Sequence, residues 1–150
     1  MKSDKVNAAL AKYEAGYNCA QSVVSAFAQD FGLETATATK LSSCFGGGMR
    51  MGATCGALSG ALMVLGLAKG FATYNPASKE AVEAVCVDFI ARWREHIGDT
   101  ECREILGLDV SIPEERLKGK EDGIFARFCP NCIQRSVELL SELLSQTGER

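Results

Sequence analysis

Apolar positions recur every three or four residues through most of the chain, and no stretch alternates one by one as a half-buried strand would. The spacing predicts helices. In the first segment Asp4 is the expected cap and Gly16 the stop. In the second, "CAQSVVSAFAQDF", Asn18 caps and Gly32 closes. These ends are expected because a helix leaves orphan N–H and C=O groups, which short polar side chains and glycine turns satisfy. A short third helix is expected over Thr37 to Cys44. A fourth should run from a Thr54 cap to Ala68 or Lys69, with Gly70 beyond it.

Asn75-Pro76 opens what reads as the longest helix, since proline at the first helical position sacrifices no hydrogen bond. Val82, Val85, Phe89, Ile90, Trp93 and Ile97 line one face of it, and Cys86 lies among them as a packing residue. A short segment, "DTECREILG", is followed by an irregular polar stretch through Gly123. The last helix is expected to start near Pro130, with Ile133, Val137, Leu140 and Leu144 as its inner row. Together these elements predict an all-α fold: a compact single-domain bundle, residues 1–150, of about five to seven helices around a glycine-rich central one.

Composition leaves that picture in place. At 150 residues, 47% hydrophobic and 23% charged, the chain can bury a core without disulfides. A net charge of −3 with no basic run gives no expectation of a nucleic-acid partner. Charges in "MKSDKVNAALAKYEAG" fall where a signal peptide needs apolar residues, so a cytoplasmic location is expected. Met51 to Ala68 lacks charge over 18 residues, but glycines, a threonine, a serine and a cysteine dilute it. No membrane span is expected; a buried central helix is. Gly52, Gly56 and Gly60 repeat every four residues there, a stripe that suits close helix crossing inside the fold or at a homo-oligomer seam.

Seven cysteines change the picture. An odd number in a reducing compartment points away from a disulfide framework and toward redox, catalytic or metal-binding thiols. The glycine loop "GGMRMGAT", Gly47 to Thr54, is no phosphate cradle, because Ala53 stands where a lysine must reach the phosphates and no strand precedes it. Cys19, Cys55, Cys102 and Cys129 instead fall at predicted helix starts, where unpaired N–H groups favour the thiolate. "CPNC", Cys129 to Cys132, is a C-x-x-C that suits redox exchange or half a metal site. Arg50 and Arg103 are the cations expected near these thiols, while Tyr13, Tyr17 and Tyr74 read as packing residues with hydroxyls available to a pocket. His96, the only histidine, reads as an exposed residue at a helix end.

The blocks "GYNCAQSVVSAF" (Gly16 to Phe27), "FGGGMRMGATCGALSGALMVLGL" (Phe45 to Leu67), "CREILG" (Cys102 to Gly107) and the late cysteines together resemble one family. It is the family named for the cysteine pattern C_GCAxxG_C_C, whose members are classed as redox-active. The resemblance implies a small, mostly helical prokaryotic protein. It places the family's cysteines on Cys19, Cys55, Cys102 and Cys129, with Cys132 a near alternative to the last. Cys44, Cys86 and Cys132 then look like extras of this sequence.

Three functions compete. In the leading one, Cys55 is a low-pKa thiolate resolved by Cys19, Cys102 or Cys129, and an unidentified redox partner exchanges electrons with it. In the second, Cys19, Cys55, Cys102 and Cys129 (or Cys132) ligate an iron–sulfur cluster or zinc, although gaps of 36, 47 and 27 residues are unlike compact ferredoxin runs. In the third, the chain is a helical binding module whose thiols are incidental. Gly56, Gly60 and Arg50 are expected to line whichever site exists.

Overall fold

The computed structural model describes residues 2–146. Its eight α-helices among those residues are α1 (Asp4–Glu14), α2 (Cys19–Phe27), α3 (Thr35–Leu41), α4 (Gly56–Lys69), α5 (Pro76–His96), α6 (Cys102–Leu106), α7 (Pro113–Glu121) and α8 (Ile124–Gln146). The all-α expectation holds, with one helix more than expected. The addition is α7, within the stretch read as irregular polar chain, where Pro113 opens the helix and Glu114 and Glu115 suit its positive end.

Several boundaries move for local reasons. Ser3, not Asp4, caps α1, its hydroxyl accepting from the Val6 N–H at 3.2 Å. The third helix starts two residues early and ends at Leu41, where the Ser42 and Ser43 hydroxyls turn back onto the Ala38 and Thr39 carbonyls. Thr54 does not cap α4. Its hydroxyl turns to the Glu101 carboxylate at 3.4 Å and its backbone pairs with Glu101, which leaves Cys55 in the cap position. The last helix starts at Ile124 rather than near Pro130, because Ile124, Phe125 and Phe128 pack on Cys102, Leu106 and Val110. It is therefore α8, at 23 residues, and not α5, at 21, that is longest.

The glycine-rich α4 is central, packed against α2, α5 and α8. Phe27, Leu58, Phe89, Trp93, Ile133, Val137 and Leu140 form one core around it. Two glycines of α4 set its approach to α2. A Cβ on Gly56 would lie 2.8 Å from the Phe45 carbonyl oxygen, and one on Gly60 3.0 Å from that of Ala20. The small-residue stripe is thus covered by α2 of the same chain. Gly52 is not part of it; it lies outside the helix, in the turn before α4, beside Asp109. No helix among the described residues is long and apolar enough to cross a membrane.

Candidate functional site

Three helix starts and the second and third turns of a fourth helix meet at one cavity of about 150 Å³. Asn18 fixes the first by a reciprocal capping box with Gln21, and its side-chain amide also donates to the Ser43 carbonyl at 3.0 Å. Cys19 follows as the first residue of α2. The second and third starts are tied to each other: the Cys55 N–H donates to the Thr100 carbonyl at 2.8 Å and the Cys102 N–H to that of Ala53 at 2.6 Å. Trp93, fully buried, anchors the connection by donating from its indole N–H to the Asp99 carbonyl at 2.9 Å.

α8 supplies Cys129 and Cys132. Cys129 is not at a helix start, as its neighbour Pro130 had suggested, but in the second turn of α8. The two cysteines lie three residues apart and so share a face. Ser136, one turn further on and fully buried, donates to the Ala57 carbonyl at 2.7 Å and so holds α8 against the start of α4.

The cavity is lined by Cys19, Cys55, Cys102, Cys129 and Cys132, with Tyr13, Arg50 and Gly56. Cys44 is exposed, Cys86 is half-buried on α5, and neither reaches it. All seven cysteines are free thiols. Gly60 packs under the site against α2 rather than lining it, and Arg103 lies by Asp109.

Within the cavity the thiols pair two by two. Cys19 lies against Cys129 and Cys132 against Cys55, close enough for the members of each pair to shift one another's ionisation. The neighbour that shifts Cys55 most is Cys132, with Cys129 acting on it more weakly. The pairs are asymmetric. The Cys19 thiol donates to the Cys129 sulfur and holds the Cys129 pKa below the usual thiol range; the Tyr13 hydroxyl, donating to the same sulfur, lowers it further. Cys132 donates to Cys55 and lowers its pKa, and the Ala57 and Leu58 N–H groups at the start of α4 act in the same direction. The donors shift the other way. Cys19 is raised by its hydrogen bond to Cys129 and then by burial, and Cys132 by its bond to Cys55 and then by burial. Tyr13 is raised first by burial and then by Cys129. Cys102 has no such partner, and burial pushes its thiol up to about 12. The negative charge of Cys129 opposes ionisation of Cys55.

The loop before α4 is built to place Arg50. Gly47, Gly48, Met49 and Arg50 all have φ near +60°, forming one left-handed turn closed by the Ala53 N–H on the Gly48 carbonyl at 3.1 Å. A Cβ on Gly48 would lie 2.4 Å from the Ala53 backbone, so only glycine fits there. Met49 and Arg50 occupy this region against an intrinsic cost of about 1–2 kcal/mol each. Neither the turn nor the pairing is written in the helical periodicity; the signals available were the run of three glycines and the C-x-x-C.

A metal-ligand set was one reading of the cysteines. Among the described residues no group of three or more His, Cys, Asp or Glu is arranged to hold a metal ion.

Residues 17–143 match a family model described as "Putative redox-active protein (C_GCAxxG_C_C)". No curated protein and no solved structure matches the chain.

Proposed function

The chain belongs to the C_GCAxxG_C_C family, and from that membership and its paired thiols we propose that it is a thiol–disulfide redox protein with two dithiol couples, Cys19/Cys129 and Cys55/Cys132. The observation that carries the reading is that Cys19, Cys55, Cys129 and Cys132 line one cavity, where Cys55 and Cys129 are each shifted toward the thiolate by a cysteine from another helix. A thiolate is the nucleophile of disulfide exchange, and a neighbouring thiol resolves the mixed disulfide it makes. A structural cysteine needs neither.

The Cys129 thiolate, half-buried at the cavity, attacks one sulfur of a disulfide R–S–S–R. The S–S bond breaks, a mixed disulfide forms on Cys129, and one RS⁻ leaves. Cys19 then gives up its proton and attacks the Cys129 sulfur, which forms the Cys19–Cys129 bond and expels the second RS⁻ to take that proton. The dithiol loses two electrons and the substrate gains them. Cys55 and Cys132 repeat the chemistry deeper in the fold, at 6% and 3% exposure. Cys102, kept protonated by burial, stays out of both couples.

The test is equilibration of the reduced protein with graded mixtures of reduced and oxidised dithiothreitol, followed by trapping and counting of free thiols. Four thiols are expected to disappear in two-electron steps, with Cys44, Cys86 and Cys102 still free. Loss of all seven thiols together, or of none, contradicts the proposal.

A further inference from the structure

A second, open groove of about 1,090 Å³ adjoins the thiol cavity and shares Tyr13, Arg50 and Phe125 with it. Its charge is the reverse of the chain's. The protein carries a net −3, yet Arg50, Arg116 and Lys120 line this groove with Glu14 as its one carboxylate. These cations are unneutralised. Arg116 donates to the Val110 carbonyl at 3.0 Å, and among the described residues no carboxylate pairs with it, with Arg50 or with Lys120. Exposed Tyr17 and Leu117, at 38% and 60% exposure, add apolar surface between them.

Arg50 joins the two spaces. The left-handed turn folds its side chain back over Gly47, where an added Cβ would lie 3.5 Å from Nη1, so the guanidinium borders groove and cavity at once. Cys129 lines the cavity, and its neighbour Pro130 lines the groove. A molecule seated in the groove therefore lies beside the cavity that Cys129 lines.

We infer that the groove selects low-molecular-weight disulfides bearing carboxylate or phosphate groups, which Arg50, Arg116 and Lys120 hold while the disulfide enters the thiol cavity. The inference rests on the redox reading above and gives its substrate class. Size favours a small molecule over a folded partner. The groove is near the upper range of small-ligand sites, and the cavity beyond it is too narrow for a protein loop. Unpaired cations on a negatively charged protein act as a local attractor for anions, with an effect that salt screens.

The experiment compares oxidation of the reduced protein by four disulfides: 3,3′-dithiodipropionate, coenzyme A disulfide, neutral 2-hydroxyethyl disulfide and cationic cystamine. Each rate is divided by that of the neutral thiol N-acetylcysteinamide with the same reagent. At low salt the normalised rates for one or both anionic reagents should exceed those for cystamine by about tenfold or more, and the advantage should shrink as salt is added. Which anion leads identifies carboxylate or phosphate as the preferred group. In Arg116→Gln/Lys120→Gln the ratio of anionic to neutral rates should fall toward one. Equal normalised rates for all four reagents, or a ratio unmoved by the double substitution, would overturn the groove's role and leave the redox reading standing. If no disulfide of any charge oxidises Cys19 and Cys129, both fall.

Discussion

The same substitution, glycine to alanine, should have opposite effects at two positions of α4. Gly66 is an exposed interior residue with nothing within 4 Å of an added Cβ. Alanine there removes the helix penalty of glycine and should stabilise the fold by about 0.5–1 kcal/mol. Gly60 offers the same helical gain, but its Cβ would lie 3.0 Å from the Ala20 carbonyl oxygen and 3.1 Å from the Ala20 Cα. Those are backbone atoms of α2 and cannot rotate away. The helices must part by a few tenths of an ångström, and overpacking of this kind costs about 1–3 kcal/mol. Since both variants share the helical gain, Gly60→Ala should be the less stable of the two by about 1–3 kcal/mol. At this chain length that separates their thermal midpoints by about 2–12 °C. Urea unfolding followed by circular dichroism measures both. If Gly60→Ala stabilises as much as Gly66→Ala, the close α2–α4 crossing that brings Cys19 beside Cys55 is wrong.

Three further outcomes follow from the site. Tyr13→Phe removes a donor to the Cys129 sulfur, so the pH profile of Cys129 alkylation by iodoacetamide should move to higher pH; an unmoved profile removes Tyr13 from the site. Cys102 is raised from 9.0 to about 12, so its contribution to stability is full below the unfolded value and is lost as pH rises from 9 toward 12. Cys102→Ala should then lose less stability than the parent between pH 8 and 11, by about 2.5 kcal/mol, and parallel urea series at the two pH values would expose an unchanged difference. Ser136→Ala leaves the α4–α8 seam without its buried hydrogen bond and should cost about 1–2 kcal/mol, whereas a change under about 0.3 kcal/mol in urea unfolding would mean the seam does not depend on it.

Much of this was legible in the sequence because helices are written locally. Asn75-Pro76 and Asn18 carry their caps within a turn and act as the sequence predicts, while Gly32 ends the 3-10 turn, Ala28–Phe31, that follows α2 rather than α2 itself. The start of α8 was hidden because Pro130 reads as a first-turn residue. What extends the helix upstream is distant packing of Phe125 and Phe128 on Leu106 and Val110. The same tertiary contact moved Cys129 from a helix end into a helix. Convergence of Cys19, Cys55 and Cys102 could be read from their positions at helix starts. The partner of each thiol could not, since pairing depends on how α8 crosses α2 and α4, and that is set by contacts such as Ser136 to Ala57. Cys132 looked interchangeable with Cys129; in the fold Cys129 is shifted most by Cys19 and Cys132 by Cys55.

The central claim is the pairing itself, and disulfide mapping tests it most directly. The reduced protein is oxidised mildly, remaining thiols are blocked at acid pH, and cross-linked peptides are identified by mass spectrometry without reduction. The account predicts two bonds, Cys19–Cys129 and Cys55–Cys132, with Cys44, Cys86 and Cys102 blocked as free thiols. A dominant Cys129–Cys132 bond, or any bond joining Cys102 to Cys55, would contradict it.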